Sequence, residues 1–150
     1  MKDFSSYLII IGGIVGTMGL KTPFVSCGVA EDPSLIISQF HGLETHRQSI
    51  TTDACNEAQQ VAFRTLEVPV MSSSIIPGFI VLLGLMSLSN RRKRYAGSAL
   101  VVATLQVFLV VWIFWQAQLH GLTLSAGSMT AFCCGLLACF GGLFKYRDGT

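Results

Sequence analysis

The residue types in this chain that can do chemistry are few, and they fall into separated groups. Of five cysteines, Cys27 and Cys55 lie in a polar stretch, while Cys133, Cys134 and Cys139 lie within an apolar one. In an oxidising compartment the first two are the natural disulfide pair. Closing a loop of that length is worth about 3–4 kcal/mol in a chain-entropy treatment. Cys133 and Cys134 are adjacent and sit in an apolar helix, where a thiol behaves as a small hydrophobe. His41, Glu44 and His46 are metal-ligating types, with His120 on the same side, and 41 and 44 would share a helical face. Their spacing matches no metal motif and Gly42 stands between them, so solvated polar positions account for them and no metal is assigned.

Other chemistry is excluded more simply. No histidine lies inside an apolar segment, which argues against a bundle-bound haem with two histidine ligands. There is no Walker loop, no Gly-x-Ser-x-Gly and no His-Glu-x-x-His. No catalytic residue and no cofactor is assigned. Inside the apolar segments the notable polar groups are Ser72, Ser73 and Ser74, followed by Pro77-Gly78, and Gln106. The serines can bond backbone carbonyls, and Pro77 frees a carbonyl that a neighbour or water must satisfy. Gln106, near mid-depth of its segment, fits an interhelical hydrogen bond. The alternative is that these groups line a permeation path. No Asp, Glu, Lys, Arg or His stands at mid-depth, a group that coupled transporters usually need.

Four apolar segments must position these residues, at about 4–20, 68–88, 96–116 and 124–144. Charged residues make up 12 % of the 150 and hydrophobic ones 51 %, with a mean hydropathy of +0.60. A soluble domain of this size needs more polar surface. Between the second and third segments, at 89–95, stands the run Asn90-Arg91-Arg92-Lys93-Arg94-Tyr95. Each cation would cost about 2.5–3.5 kcal/mol at the centre of a span, so the run must lie in water, on the cytoplasmic side. The net charge of +2 is too small and too concentrated there to suggest a nucleic-acid surface.

The remaining charges fit the same threading. Lys2, Lys145 and Arg147 fall on the side of the basic run, and Glu31, Asp32, Glu44, Asp53, Glu57 and Glu67 on the other. Four spans with both termini cytoplasmic satisfy all of these positions. Lys21 and Pro23 interrupt the first apolar core ahead of Cys27, which favours a retained span over a cleaved leader. Trp112 and Trp115, towards the outer end of the third span, suit an interfacial aromatic belt.

Residues 21–67 form an outer cap between the first two spans. Asp32-Pro33 is a helix start, and Leu35, Ile36, Phe40 and Leu43 follow at helical spacing to about His46. A second amphipathic stretch begins near Thr52-Asp53, with Ala54, Ala58, Val61 and Ala62 on its apolar side, and runs towards the second span. Pro69 predicts a kink or break at the membrane surface. Leu119-His120-Gly121-Leu122 is a tight connection that makes spans three and four antiparallel neighbours. Two small-residue faces predict close helix approach: Gly12 and Gly16, one Gly-x-x-x-Gly step, and Gly127, Ala131, Gly135 and Cys139, every fourth residue of the last span.

The expected fold is an all-α integral membrane protein, a four-helix transmembrane bundle in a single domain with a small, partly helical, disulfide-closed outer cap. In layout, with a large first outer loop bearing Cys27 and Cys55, it resembles the claudin-like tetraspans. The Trp…Gly-Leu-Trp signature of that loop is absent, and Cys133-Cys134-Gly135 resembles the tetraspanin triplet but falls inside a membrane segment. Quinone-coupled disulfide-forming membrane enzymes also have four spans, yet depend on an outer Cys-x-x-Cys pair that is missing here. The expected function is non-enzymatic: an accessory or scaffolding subunit of a larger assembly in the plasma (inner) membrane, or a self-assembling tetraspan. Its partners are then the lipid bilayer and other membrane subunits or copies of itself, with no nucleic acid. The alternatives are a small channel or transporter lined by spans two and three, and an outer-face thiol-redox or metal-handling protein.

Overall fold

The apolar run makes the first element, α1, a helix over Phe4–Met18, in spite of glycines that lower its intrinsic propensity. The computed structural model describes residues 4–19, 23–27, 36–38, 57–89 and 93–148. Strands β1 (Pro23–Cys27) and β2 (Ile36–Ser38) follow. Then come α2 (Glu57–Ser89), α3 (Lys93–Leu119), a short strand β3 (Leu122–Leu124) and α4 (Ala126–Asp148).

Among the described residues, three helices are long and apolar enough to cross a membrane: Glu57–Ser89, Arg94–Leu119 and Ala126–Arg147. At about 1.5 Å per residue, the 27 residues of α3 reach about 40 Å, close to a bilayer with its headgroup regions. The 15 residues of α1 reach only about 22 Å, short of a hydrocarbon core of about 30 Å. α1 lies chiefly against α4 and α2, while α3 closes the bundle against the other sides of the same two helices. Large side chains face outward along every helix, among them Ile11, Phe79, Phe108 and Phe140. Small ones face inward, such as Ala99, Ala103, Ala131 and Ala138. A soluble bundle turns polar and charged residues outward instead.

The end of the bundle at the α3–α4 connection departs from the all-helical expectation. β1 lies at the centre of a three-stranded antiparallel sheet in the order β2-β1-β3. Val25 stands opposite Ile37 on one side and Leu124 on the other, with an irregularity between Pro23 and Val25 in the first pairing. Residues 36–38, expected in a helix from Asp32-Pro33, are a strand. The β-branched pair Ile36-Ile37 suits a pleated edge as well as a helical face, and pairing with β1 decides between them. The second cap stretch forms a helix from Glu57, unbroken at Pro69, so α2 carries both Pro69 and Pro77 in its interior. Ala62 and Leu66 are buried, while Ala58 and Val61 face outward.

Phe24 and Val25 plug the bundle at this end. Both are fully buried in one cluster with Leu66, Val70, Val110, Ile113, Ala117 and Leu122. The backbone of β1 is paired on both edges, and the Phe24 carbonyl accepts from the Ser125 amide at 3.1 Å. The α3–β3 turn is made by Gly121 at φ +67°, a left-handed conformation that a Cβ would oppose. A second cluster, of Ile9, Ile80, Ala99, Ala103, Cys134 and Ala138, fills the other half of the bundle.

Candidate functional site

Between the two apolar clusters lies a polar layer made by α2 and α3. Proline has no amide hydrogen, so Pro77 leaves the carbonyl of Ser73, four residues earlier, without its helical donor. Gln106 supplies one: its Nε2 donates to Ser73 O at 3.2 Å, and its side chain is fully buried. A single interhelical bond thus supplies the donor that the proline removes and uses the amide nitrogen of the glutamine. The Ser73 hydroxyl is occupied locally, donating to Val70 O at 2.7 Å, and Ser74 does the same to Met71 O at 2.6 Å. Ser72 points outward and donates to Val68 O at 3.0 Å. Of the four polar residues grouped as a candidate lining, then, Gln106 and Ser73 meet inside the bundle and Ser72 does not join them. Gln106 Oε1 is buried with no hydrogen-bond partner among the described residues.

The outward hydroxyls follow one rule. Thr65 donates to Val61 O, Ser98 to Arg94 O and Thr104 to Leu100 O, at 2.8–3.1 Å, each four residues back. A hydroxyl bonded in this way to its own helix carries no unmet donor into a nonpolar surrounding.

A second polar cluster lies at the end of the bundle where α1 begins and α2 and α4 end. The Lys145 ammonium donates to Ser6 Oγ on α1, and to Ser87 O on α2 at 2.8 Å. Ser6 and Ser87 are buried, their hydroxyls 3.3 Å apart. Ser87 is among the last four residues of α2, whose carbonyls have no partner within the helix, and a cation is favourable at that negative pole. Sequence reasoning assigned Lys145 to topology alone. The signal for it in the sequence is the pair Ser6 and Ser87, at the ends of two apolar segments that lie nearest the basic residues.

The glycine faces are occupied within the chain. A Cβ on Gly12 would lie 3.0 Å from Cys134 O and 3.1 Å from Ala138 N of α4. On Gly16 it would lie 2.7 Å from Cys134 Sγ and from the Pro77 ring. Along α4, Gly135 faces Val107 and Ala103 of α3, and Cys139 Sγ stands 3.7 Å from Thr104 Oγ1. Gly141 turns instead to Ser5 and Ile9 of α1, while Ala131 belongs to the outer cluster and Gly127 is buried. Cys133 is exposed on α4, and Cys134 is buried against α1.

The disulfide closing the cap finds no support among the described residues: Cys55 and the Cys27 side chain lie outside them. His41, Glu44 and His46 lie outside them too. Among those described, no three His, Cys, Asp or Glu side chains come together as a metal site. Compared with protein families, curated proteins and solved structures, the chain matches none.

Proposed function

We propose that the chain is an integral membrane protein of four spans, both termini cytoplasmic, that acts by association rather than catalysis. It would serve as an accessory or scaffolding subunit of a membrane assembly, or assemble with copies of itself. The observation that carries this reading is the packing: bulky apolar side chains face out along all four helices, while small residues such as Ala99, Ala103 and Ala138 let the helices approach inside. The first crossing would combine α1 with the extended β1. Non-helical backbone at membrane depth is tolerated where protein buries it, and Phe24 and Val25 are fully buried.

The same packing moves the candidate contact surface. The glycine faces of α1 and α4 are filled by the chain's own helices, so a partner would meet the outward faces. On α3 these carry Val101, Leu105, Phe108, Trp112, Trp115 and Leu119, spaced alternately by four and three. Crosslinking in native membranes, with identification of the chains captured, tests the reading. A discrete homo-oligomer or a reproducible partner is expected, and a lone monomer under mild detergent would count heavily against it.

One observation favours a channel or transporter as second reading. The unpartnered Gln106 Oε1 is a buried acceptor that a permeating species with a proton to donate could use. Flux through reconstituted liposomes that disappears in Gln106→Leu would put this reading first.

A further inference from the structure

The inner end of the bundle carries a concentration of charge that association through apolar faces does not use. In sequence, seven cations (Lys2, Arg91, Arg92, Lys93, Arg94, Lys145, Arg147) and two carboxylates, Asp3 and Asp148, flank the apolar segments on this side, a net of +5. Two of these cations are fixed at a common level. Gly142 of α4 packs on Leu100 of α3, and the two helices run in opposite directions. Arg147 lies five residues beyond the first and Arg94 six beyond the second, both about 7–9 Å further out. Both side chains are exposed. Lys145 binds the ends of α1, α2 and α4 together just beneath them.

A second observation sets the depth. All three tyrosines of the chain, Tyr7, Tyr95 and Tyr146, fall at this end, and both tryptophans at the other. Tyr7 and Tyr146 are about half exposed, and Tyr95 and Tyr146 directly adjoin Arg94 and Arg147. Tyrosine rings favour the headgroup layer, so guanidiniums one position further out lie at the phosphates. Arginine is suited to that ligand, since its planar fork pairs with two phosphate oxygens at once.

We infer that Arg94 and Arg147 form an inner-leaflet site for the headgroup of an anionic phospholipid. The inference rests on the membrane reading above. It explains why guanidiniums stand beside the tyrosines, where orientation alone would be served by any cation.

The test uses the whole protein in vesicles of phosphatidylcholine containing phosphatidylglycerol, after flotation has shown insertion. The readout is the association of spin-labelled phosphatidylglycerol relative to spin-labelled phosphatidylcholine. Wild type should prefer the anionic lipid, and the preference should weaken at high ionic strength. Arg94→Gln and Arg147→Gln should each lower it about fivefold, the equivalent of about 1 kcal/mol per cation at an anionic surface. Arg64→Gln, an exposed cation at the opposite end of α2, should leave it unchanged. If the double glutamine variant does not insert, Arg94→Lys with Arg147→Lys tests the fork directly, since charge is kept and the preference should fall.

No preference in wild type, or an equal loss in Arg64→Gln, overturns the site. So does displacement of the lipid by soluble glycerol phosphate at matched ionic strength, which would mark a free-anion site. Failure of the protein to float with the vesicles overturns both this inference and the membrane reading.

Discussion

Gln106 is the residue on which the middle of the bundle turns. Its amide replaces the donor that Pro77 removes from α2, so its worth depends on the proline. Gln106→Leu should destabilise the protein by about 1–3 kcal/mol, because the Ser73 carbonyl is then left buried without a partner. In a Pro77→Ala background the helix supplies its own amide to that carbonyl, and the same substitution should cost far less. A double-mutant cycle measured by unfolding in detergent checks this coupling; additive effects would refute the pairing. Lys145 is the matching case at the inner end. Lys145→Met removes the donor to Ser6 Oγ and to the Ser87 carbonyl, leaving only the bond between the two serine hydroxyls, and should also cost about 1–3 kcal/mol by the same measurement.

At the scale of elements, glycines separate into those that hold helices together and those that do not. Gly16→Ala would place a Cβ 2.7 Å from both the Pro77 ring and Cys134 Sγ, so α1 must move. A loss of about 1–3 kcal/mol is expected, as for overpacking generally. Gly78 and Gly97 have nothing within 4 Å of the same position. Alanine at either should stabilise its helix by about 0.5–1 kcal/mol. Thermal unfolding of the three variants side by side decides the matter. The sheet is the element least visible in sequence. Its central strand supplies a fully buried aromatic ring, and Phe24→Ala should cost about 3–5 kcal/mol and loosen the outer end first, as read by hydrogen exchange in Leu122–Leu124.

For the whole molecule, the proposed orientation makes the basic end cytoplasmic and the α3–β3 turn at Gly121 extracytoplasmic. An impermeant label applied to intact cells should therefore modify a cysteine placed at His120 and spare one placed at Ser89. The opposite pattern would invert the bundle and remove the argument for an inner-leaflet lipid site. The outward heptad on α3 has its own consequence at this scale. If copies associate there, polar substitutions at Phe108 and Trp115 should weaken the crosslinked species while leaving the fold intact.

The sequence by itself determined what depends on local composition. Four apolar segments, the tight Leu119–Leu122 connection, the charge asymmetry and the existence of close-packing glycine faces follow from hydropathy, turn chemistry and the cost of burying charge. It also marked Pro77 and Gln106 as two unfinished hydrogen-bonding requirements. Only the tertiary structure decided that Gln106 supplies what Pro77 removes, because Ser73 and Gln106, 33 positions apart, meet only when α2 lies on α3. Ile36–Ser38 became a strand for the same kind of reason: its backbone groups found partners on β1, and three residues cannot signal that choice in their own pattern. The glycine stripes were legible as surfaces of approach but not as to whom they approach. A missing side chain records that something comes near, and the fold alone supplies the neighbour.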